Sequence, residues 1–172
     1  MEHIENSAIY SDLKDQIAVV IGAGQAGSPD SKFWGNGAAI SKVLSQSGAK
    51  IGSGAIINNA SIAGMRYLGK PQVAYASAKA AVIHFTKVTG IMYAGRGVRV
   101  NSVAPGMMYT PLLEKLGNSV LAEEREIHKK ITDHNVPLGR MGDAFDVANV
   151  VAFLASCASR LDWNWWQGDI VF

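Results

Sequence analysis

Cysteine is almost absent from the 172-residue chain: Cys157 is the single one, so no disulfide can form within one chain. No apolar run reaches 18 residues, and the first residues lack a basic segment followed by an apolar one, so neither a membrane span nor a secretory leader is expected. The formal charge is only +2 and the basic residues are scattered, which argues against nucleic-acid binding. We therefore predict a cytoplasmic protein of one domain, residues 1–172, with no metal site.

Glycine is the residue in excess, since 18 glycines make up about 10% of the chain against a usual 7%. Five of them fall within residues 22–37. The β-branched run IAVVI (17–21) precedes this segment, and from residue 38 apolar residues recur at helical spacing. This order predicts a buried strand, a glycine loop and a helix over about 37–47, with Asn36 as its N-cap.

Further strands and helices follow in alternation. GAIINNAS (54–61) and VRVNSVAP (98–105) have the composition of buried strands, and an alanine-rich helix is predicted between them over 73–94. Residues 107–140 are mixed and polar, with helical character near 112–132. Asp143 is placed to cap a last helix, AFDVANVVAFLAS. The pattern predicts an α/β fold with an open parallel sheet.

The glycine loop between the first strand and helix allows two interpretations. Backbone amides of such a loop can approach a pyrophosphate closely, and the helix N-terminus favours its negative charge. However, about ten residues separate Gly22 and Gly24 from Gly35 and Gly37, so the glycines of this segment are widely spaced. A long turn that needs positive φ angles explains the glycines equally well.

A second group of residues suggests proton-transfer chemistry. Tyr75 and Lys79 are one helical turn apart and therefore share a face, and Ser61 ends the preceding strand. An ammonium group beside a phenol favours the phenolate, and a serine hydroxyl can hydrogen-bond an oxygen whose charge changes. The alternative is structural: a tyrosine that covers the sheet, a solvated lysine and a serine in a turn.

Six segments in this order resemble the short-chain dehydrogenase/reductase family: IAVVIGAG, WGNG, GAIINNASIAG, YASAKAAV, GVRVNSVAPGMMYTPL and DVANVVAFLAS. The resemblance runs from about residue 13 to 160, and WGNG (34–37) is similar to the branch with a long insert in its glycine loop. It implies a Rossmann-like doubly wound parallel sheet and NAD or NADP as the cofactor. It also implies hydride transfer between that cofactor and a small-molecule alcohol or carbonyl substrate.

The resemblance implies roles for individual residues. Tyr75 matches the family's proton donor or acceptor, Lys79 matches the lysine that binds the nicotinamide ribose, and Ser61 matches the serine that orients the substrate oxygen. Besides Tyr75 and Lys79, the residues implied to contact the cofactor are Gly22, Gly24, Gly35, Asn36, Gly37, Pro105, Gly106, Met108 and Thr110.

The chain also departs from the family pattern. SGAK (47–50) is followed almost at once by GSGAIINNAS, so the second to fourth strands and their helices are absent, a deletion on the order of 80 to 90 residues. The segments that bind the adenine, choose between NAD and NADP, and supply the fourth catalytic residue are expected to be missing. So is the helix that faces the Tyr-Lys helix across the family's dimer interface, which leaves a homo-oligomer in doubt. The ending LDWNWWQGDIVF is atypical, although GDIVF can form a short edge strand.

Two functions therefore stay open. The first is a short-chain dehydrogenase/reductase with Ser61, Tyr75 and Lys79 as its catalytic group. The second is a catalytically silent fragment or regulatory relative that keeps the motifs without holding a dinucleotide. If the remaining strands close the gap, the sheet contains 17–21, 54–59 and 98–103, and the glycine loop and the catalytic group share its carboxyl edge.

Overall fold

A computed structural model describes residues 11–14, 34–47, 54–111, 130–159 and 170–171. Within these described residues the main sheet contains three parallel strands in the order β1 (Ala55–Asn59), β2 (Arg99–Ala104) and β5 (Ile170–Val171). A second pair joins β3 (Met108–Tyr109) to β4 (Gly142–Asp143), also in parallel. The α-helices with both ends inside these described ranges are α1 (Asn36–Gln46), α2 (Val73–Ala94) and α3 (Ala144–Ala155), and residues 130–135 are also helical. The α/β class and the parallel pairing of the 54–59 and 98–103 segments are thus confirmed.

The helices lie in two layers because successive strand residues face opposite sides of a sheet. Val103 of β2 belongs to the buried cluster formed with α1 and α3, and Ile57 of β1 packs against that cluster. Asn58, the next residue of β1, instead donates a hydrogen bond from Nδ2 to Oγ1 of Thr86 in α2 (2.8 Å). One face of the sheet therefore carries α1 and α3, and the other carries α2.

The core lies between α1, α3 and the sheet. Val43, Val147 and Leu154 are fully buried there. Asp143 begins α3 with a reciprocal capping box: its carboxylate accepts the Phe145 and Asp146 N–H groups, and the Asp146 carboxylate accepts the Asp143 N–H. The predicted cap of the last helix is confirmed.

Most predicted boundaries hold to within two residues. The helix over 73–94 is confirmed at both ends, and β5 falls inside the GDIVF segment. Asn36 is not the N-cap of α1. The carbonyl of Gly35 accepts the first helical hydrogen bond, from Ala39 N–H (3.0 Å), which places Asn36 inside the first turn. The predicted strand at 17–21, and most of the segment 112–132, lie outside the described residues.

Arg99 ties the beginning of β2 to the end of α3. Its guanidinium donates hydrogen bonds to the carbonyl oxygens of Leu154 (2.6 Å), Ala155 (3.2 Å) and Ser156 (3.3 Å). These carbonyls belong to the last turn of the helix, where oxygens lack helical donors and the helix dipole attracts a cation. The contact joins residues more than 50 positions apart in the chain.

We expect Arg99→Met to lower the free energy of unfolding by about 2 kcal/mol, because methionine keeps an apolar stem but leaves half-buried carbonyls without a donor. Urea denaturation measures this loss. The exposed Arg140 provides the matched control, and Arg140→Met should stay within about 0.5 kcal/mol of the parent. Equal effects of the two substitutions would contradict the proposed contribution of Arg99.

Candidate active site

The candidate site is built where β1 ends. Ser61 follows the strand by two residues and caps the 3-10 turn Ile62–Gly64, since its Oγ accepts the N–H of Ala63 (3.2 Å). The residue is buried, with 8% of its surface exposed. Within the described part of the chain its hydroxyl hydrogen has no acceptor. The hydroxyl is therefore fixed in position and can still donate a hydrogen bond.

The first two turns of α2 supply Tyr75 and Lys79. The ammonium of Lys79 donates a hydrogen bond to the carbonyl oxygen of Asn59 (2.8 Å), the last residue of β1. The same Nζ atom lies 5.7 Å from the centroid of the Tyr75 ring. Tyr75 is 47% exposed, and among the described residues its hydroxyl has no hydrogen-bond partner. The arrangement places a positive charge beside an accessible phenol.

Two contacts hold the Ser61 turn against α2. A Cβ atom added to Gly64 would lie 2.6 Å from both Lys79 C and Ala80 N, so the turn approaches the helix backbone more closely than any other residue type permits. The second contact is the hydrogen bond from Asn58 to Thr86, seven residues after Lys79 in α2. Together they bring Ser61 to the same part of the molecule as Tyr75 and Lys79.

The end of β2 joins this group. The carbonyl of Pro105 accepts the N–H of Ile62 (3.2 Å), next to Ser61. Gly106 follows, and Met108 lies in β3, where it packs against the core of α1 and α3. Thr110 is half-buried just beyond β3.

The described part of the glycine loop lies in the other helix layer. Gly35, Asn36 and Gly37 are at the start of α1, and the Oδ1 atom of Asn36 is buried without a hydrogen-bond partner in the described structure. Trp34, which precedes them, contacts Phe145 of α3 with ring centroids 5.5 Å apart. Gly22 and Gly24 lie outside the described residues.

The sequence did not indicate the positioning role of Asn59, because the acceptor is a backbone carbonyl that any residue could supply. The hydrogen bond between Asn58 and Thr86, by contrast, could have been predicted from the sequence. A polar side chain within a strand patterned for burial needs a partner, and Thr86 follows Lys79 by two helical turns on the same face.

The described residues contain neither a candidate membrane span nor a candidate metal site. None of the helices there is long and apolar enough to cross a bilayer. In the same part of the chain, no three His, Cys, Asp or Glu side chains come together as metal ligands would.

Comparison with known proteins gives consistent matches over most of this architecture. Residues 35–161 match the family model described as enoyl-(acyl carrier protein) reductase. Levodione reductase of Leifsonia aquatica is 38% identical over 108 residues, which are 61% of this chain and 39% of that enzyme. The chain thus spans about two fifths of the length of this curated relative.

Solved structures give the same result. A crystal structure assigned to a short-chain dehydrogenase/reductase of Burkholderia xenovorans superimposes with a TM-score of 0.61 at 37% identity, covering 68% of this chain and 43% of that one. Structures at 25% to 31% identity, with TM-scores of 0.53 to 0.57, contain bound NADH, NAD or NADP.

Proposed function

Because the chain belongs to the short-chain dehydrogenase/reductase family, we propose that it transfers hydride between NAD or NADP and an alcohol or carbonyl substrate through Ser61, Tyr75 and Lys79. The observation that carries the proposal is the position of the Lys79 ammonium. It is anchored on the Asn59 carbonyl and lies 5.7 Å from the ring of Tyr75. A lysine with a purely solvated role would not need this anchor.

In this mechanism Tyr75 moves the proton. When a carbonyl is reduced, the phenol donates its proton to the substrate oxygen, and when an alcohol is oxidised, the phenolate accepts it. The ammonium of Lys79 lies beside this group, 5.7 Å from the centroid of the ring. The buried Ser61 hydroxyl donates a hydrogen bond to the same substrate oxygen, whose negative charge grows during reduction. The hydride would be supplied or accepted by NAD or NADP when that cofactor is bound.

The residues present fit the nicotinamide end of such a cofactor. Lys79 has three N–H donors, and the described structure uses one of them on Asn59, which leaves donors for the ribose hydroxyls. Pro105, Gly106, Met108 and Thr110 follow β2 at the neighbouring strand end, where open α/β sheets bind ligands.

The start of α1 fits the pyrophosphate. Gly35, Asn36 and Gly37 lie at the N-terminus of α1, where the helix dipole favours a negative charge, and we propose that Gly22 and Gly24 complete this loop. The buried and unpartnered Oδ1 of Asn36 is an acceptor that a ribose or phosphate-bound hydroxyl could satisfy.

The silent relative is the second candidate, because the matched region is only 39% of levodione reductase and the sequence contains no segment that resembles the family's adenine site. Both candidates retain the same three catalytic residues. They differ in whether the chain binds a dinucleotide.

A thermal-shift titration of the full chain with NADH and with NADPH separates them. We expect the melting temperature to rise with one cofactor in a concentration-dependent way, since a ligand that binds only the folded state at 100 times its Kd adds about 2.7 kcal/mol of stability. Lys79→Met should flatten this rise because it removes the donors for the ribose. A melting temperature indifferent to both cofactors would exclude the enzymatic proposal in favour of the silent relative.

A further inference from the structure

A groove of about 270 Å³ lies between the loop that follows the Ser61 turn and the first turns of α2. One wall is apolar and includes Leu68, Pro71, Val73 and Ala76. Arg66 and Lys70 also line it. The volume suits a small organic molecule or one end of a larger one.

The electrostatic character of the groove is positive. Both of its ionisable cations come from the loop, and no acidic side chain is among the described residues that line it. Within the described structure, neither the Arg66 guanidinium nor the Lys70 ammonium forms an ion pair or a hydrogen bond. Partial burial also lowers the pKa of Lys70, because the ammonium loses hydration without gaining a counter-charge. An anion in the groove would supply that charge.

We propose that this groove binds the carboxylate group of a small organic acid with a short hydrocarbon chain. The planar guanidinium of Arg66 can donate two parallel hydrogen bonds to a carboxylate, and Lys70 adds a second positive charge. The apolar wall then covers the hydrocarbon. A neutral ligand of the same shape would leave both cations without a partner.

The groove adjoins the candidate active site. Its lining includes Ala63, whose N–H is held by Ser61, and Ala76, the residue after Tyr75. An acid bound here extends toward the proposed catalytic group, so the substrate class is an alcohol or carbonyl compound that carries a carboxylate. This assignment of substrate class rests on the proposed function, whereas binding of the carboxylate does not.

The test uses hexanoate and its neutral analogue hexanamide as probes, titrated into the full chain by calorimetry at about 0.15 M salt. We expect hexanoate to bind at least about tenfold more tightly than hexanamide, which corresponds to one charge-assisted hydrogen bond of about 1.4 kcal/mol. Arg66→Gln and Lys70→Gln should each weaken hexanoate binding about tenfold and leave hexanamide binding unchanged. Arg96→Gln, beyond the far end of α2, is the matched control and should have no effect.

Stability measurements show whether the variants remain folded. Lys70→Gln should keep or raise the melting temperature, because the substitution removes a partly desolvated charge, whereas a structural role for Lys70 predicts a lower one. Arg66 is exposed, so Arg66→Gln should leave the melting temperature unchanged.

Two results would overturn the inference: equal binding of hexanoate and hexanamide, or hexanoate binding that is insensitive to Arg66→Gln and Lys70→Gln. Failure of the proposed function gives a different result. In that case hexanoate still binds and still depends on Lys70, but the chain turns over no hydroxy or oxo acid with either cofactor. The groove would then be a carboxylate site, and its assignment to a substrate would be wrong.

Discussion

Tyr75→Phe is expected to lower kcat for the alcohol or carbonyl substrate by about 10² to 10⁴-fold, the usual range for loss of a general acid or base. The substitution removes one oxygen atom and keeps the ring beside the Lys79 ammonium. Because the described structure gives this hydroxyl no hydrogen-bond partner and leaves the side chain 47% exposed, its loss should hardly change the melting temperature. Steady-state kinetics with the preferred cofactor measures the effect.

Tyr93→Phe is the matched control, since Tyr93 also lies in α2 but near its other end, where Arg96 stacks on its ring. It should retain full turnover. Unchanged turnover in Tyr75→Phe would refute the proton-transfer role, whereas equal loss in both variants would point to a general disturbance of α2.

Gly64→Ala is expected to lower both stability and turnover. The added methyl group would have to lie 2.6 Å from backbone atoms of Lys79 and Ala80, and neither backbone can move without shifting the helix or the Ser61 turn. Such overpacking costs about 1 to 3 kcal/mol of unfolding free energy. Turnover should fall as well, because the same shift separates Ser61 from Tyr75. Urea denaturation and kcat provide the two measurements.

Gly95→Ala serves as the control because nothing lies within 4 Å of the added Cβ and Gly95 has a helical φ of −63°. It should be neutral or stabilise the chain by up to about 1 kcal/mol. If Gly64→Ala behaved like Gly95→Ala, the close approach of the Ser61 turn to α2 would not determine the geometry of the site.

Features that depend on local interactions were predicted from the sequence. The helix over 73–94 follows from its alanine content, and the cap at Asp143 depends on hydrogen bonds to residues only two or three positions away. The pairing of Tyr75 with Lys79 follows in the same way from one helical turn. These are short-range consequences of residue type and spacing.

The pairing of β1 with β2 was predicted, but other long-range features were not. The three hydrogen bonds of Arg99, the β3–β4 pair and the groove around Lys70 each join segments whose relative position is set by the packed sheet. The prediction that Asn36 is the N-cap of α1 was wrong because it rested on residue type alone. Asparagine suits an N-cap, but the carbonyl of the adjacent Gly35 accepts the first helical hydrogen bond. The single-domain organisation and the catalytic roles stay predictions.

The order of elements along the chain has a consequence for synthesis. β1, α2 and β2 are consecutive, so residues 54–104 can assemble their paired strands and the Ser61–Lys79 region as soon as they emerge. α1 is made earlier, yet it buries its apolar side against α3, which is completed about 100 residues later. At a synthesis rate of about 5 to 20 residues per second, roughly 5 to 20 s pass before α3 is available to cover the apolar side of α1. The part of the molecule that carries the candidate chemistry can therefore form while the helix layer behind it is still incomplete.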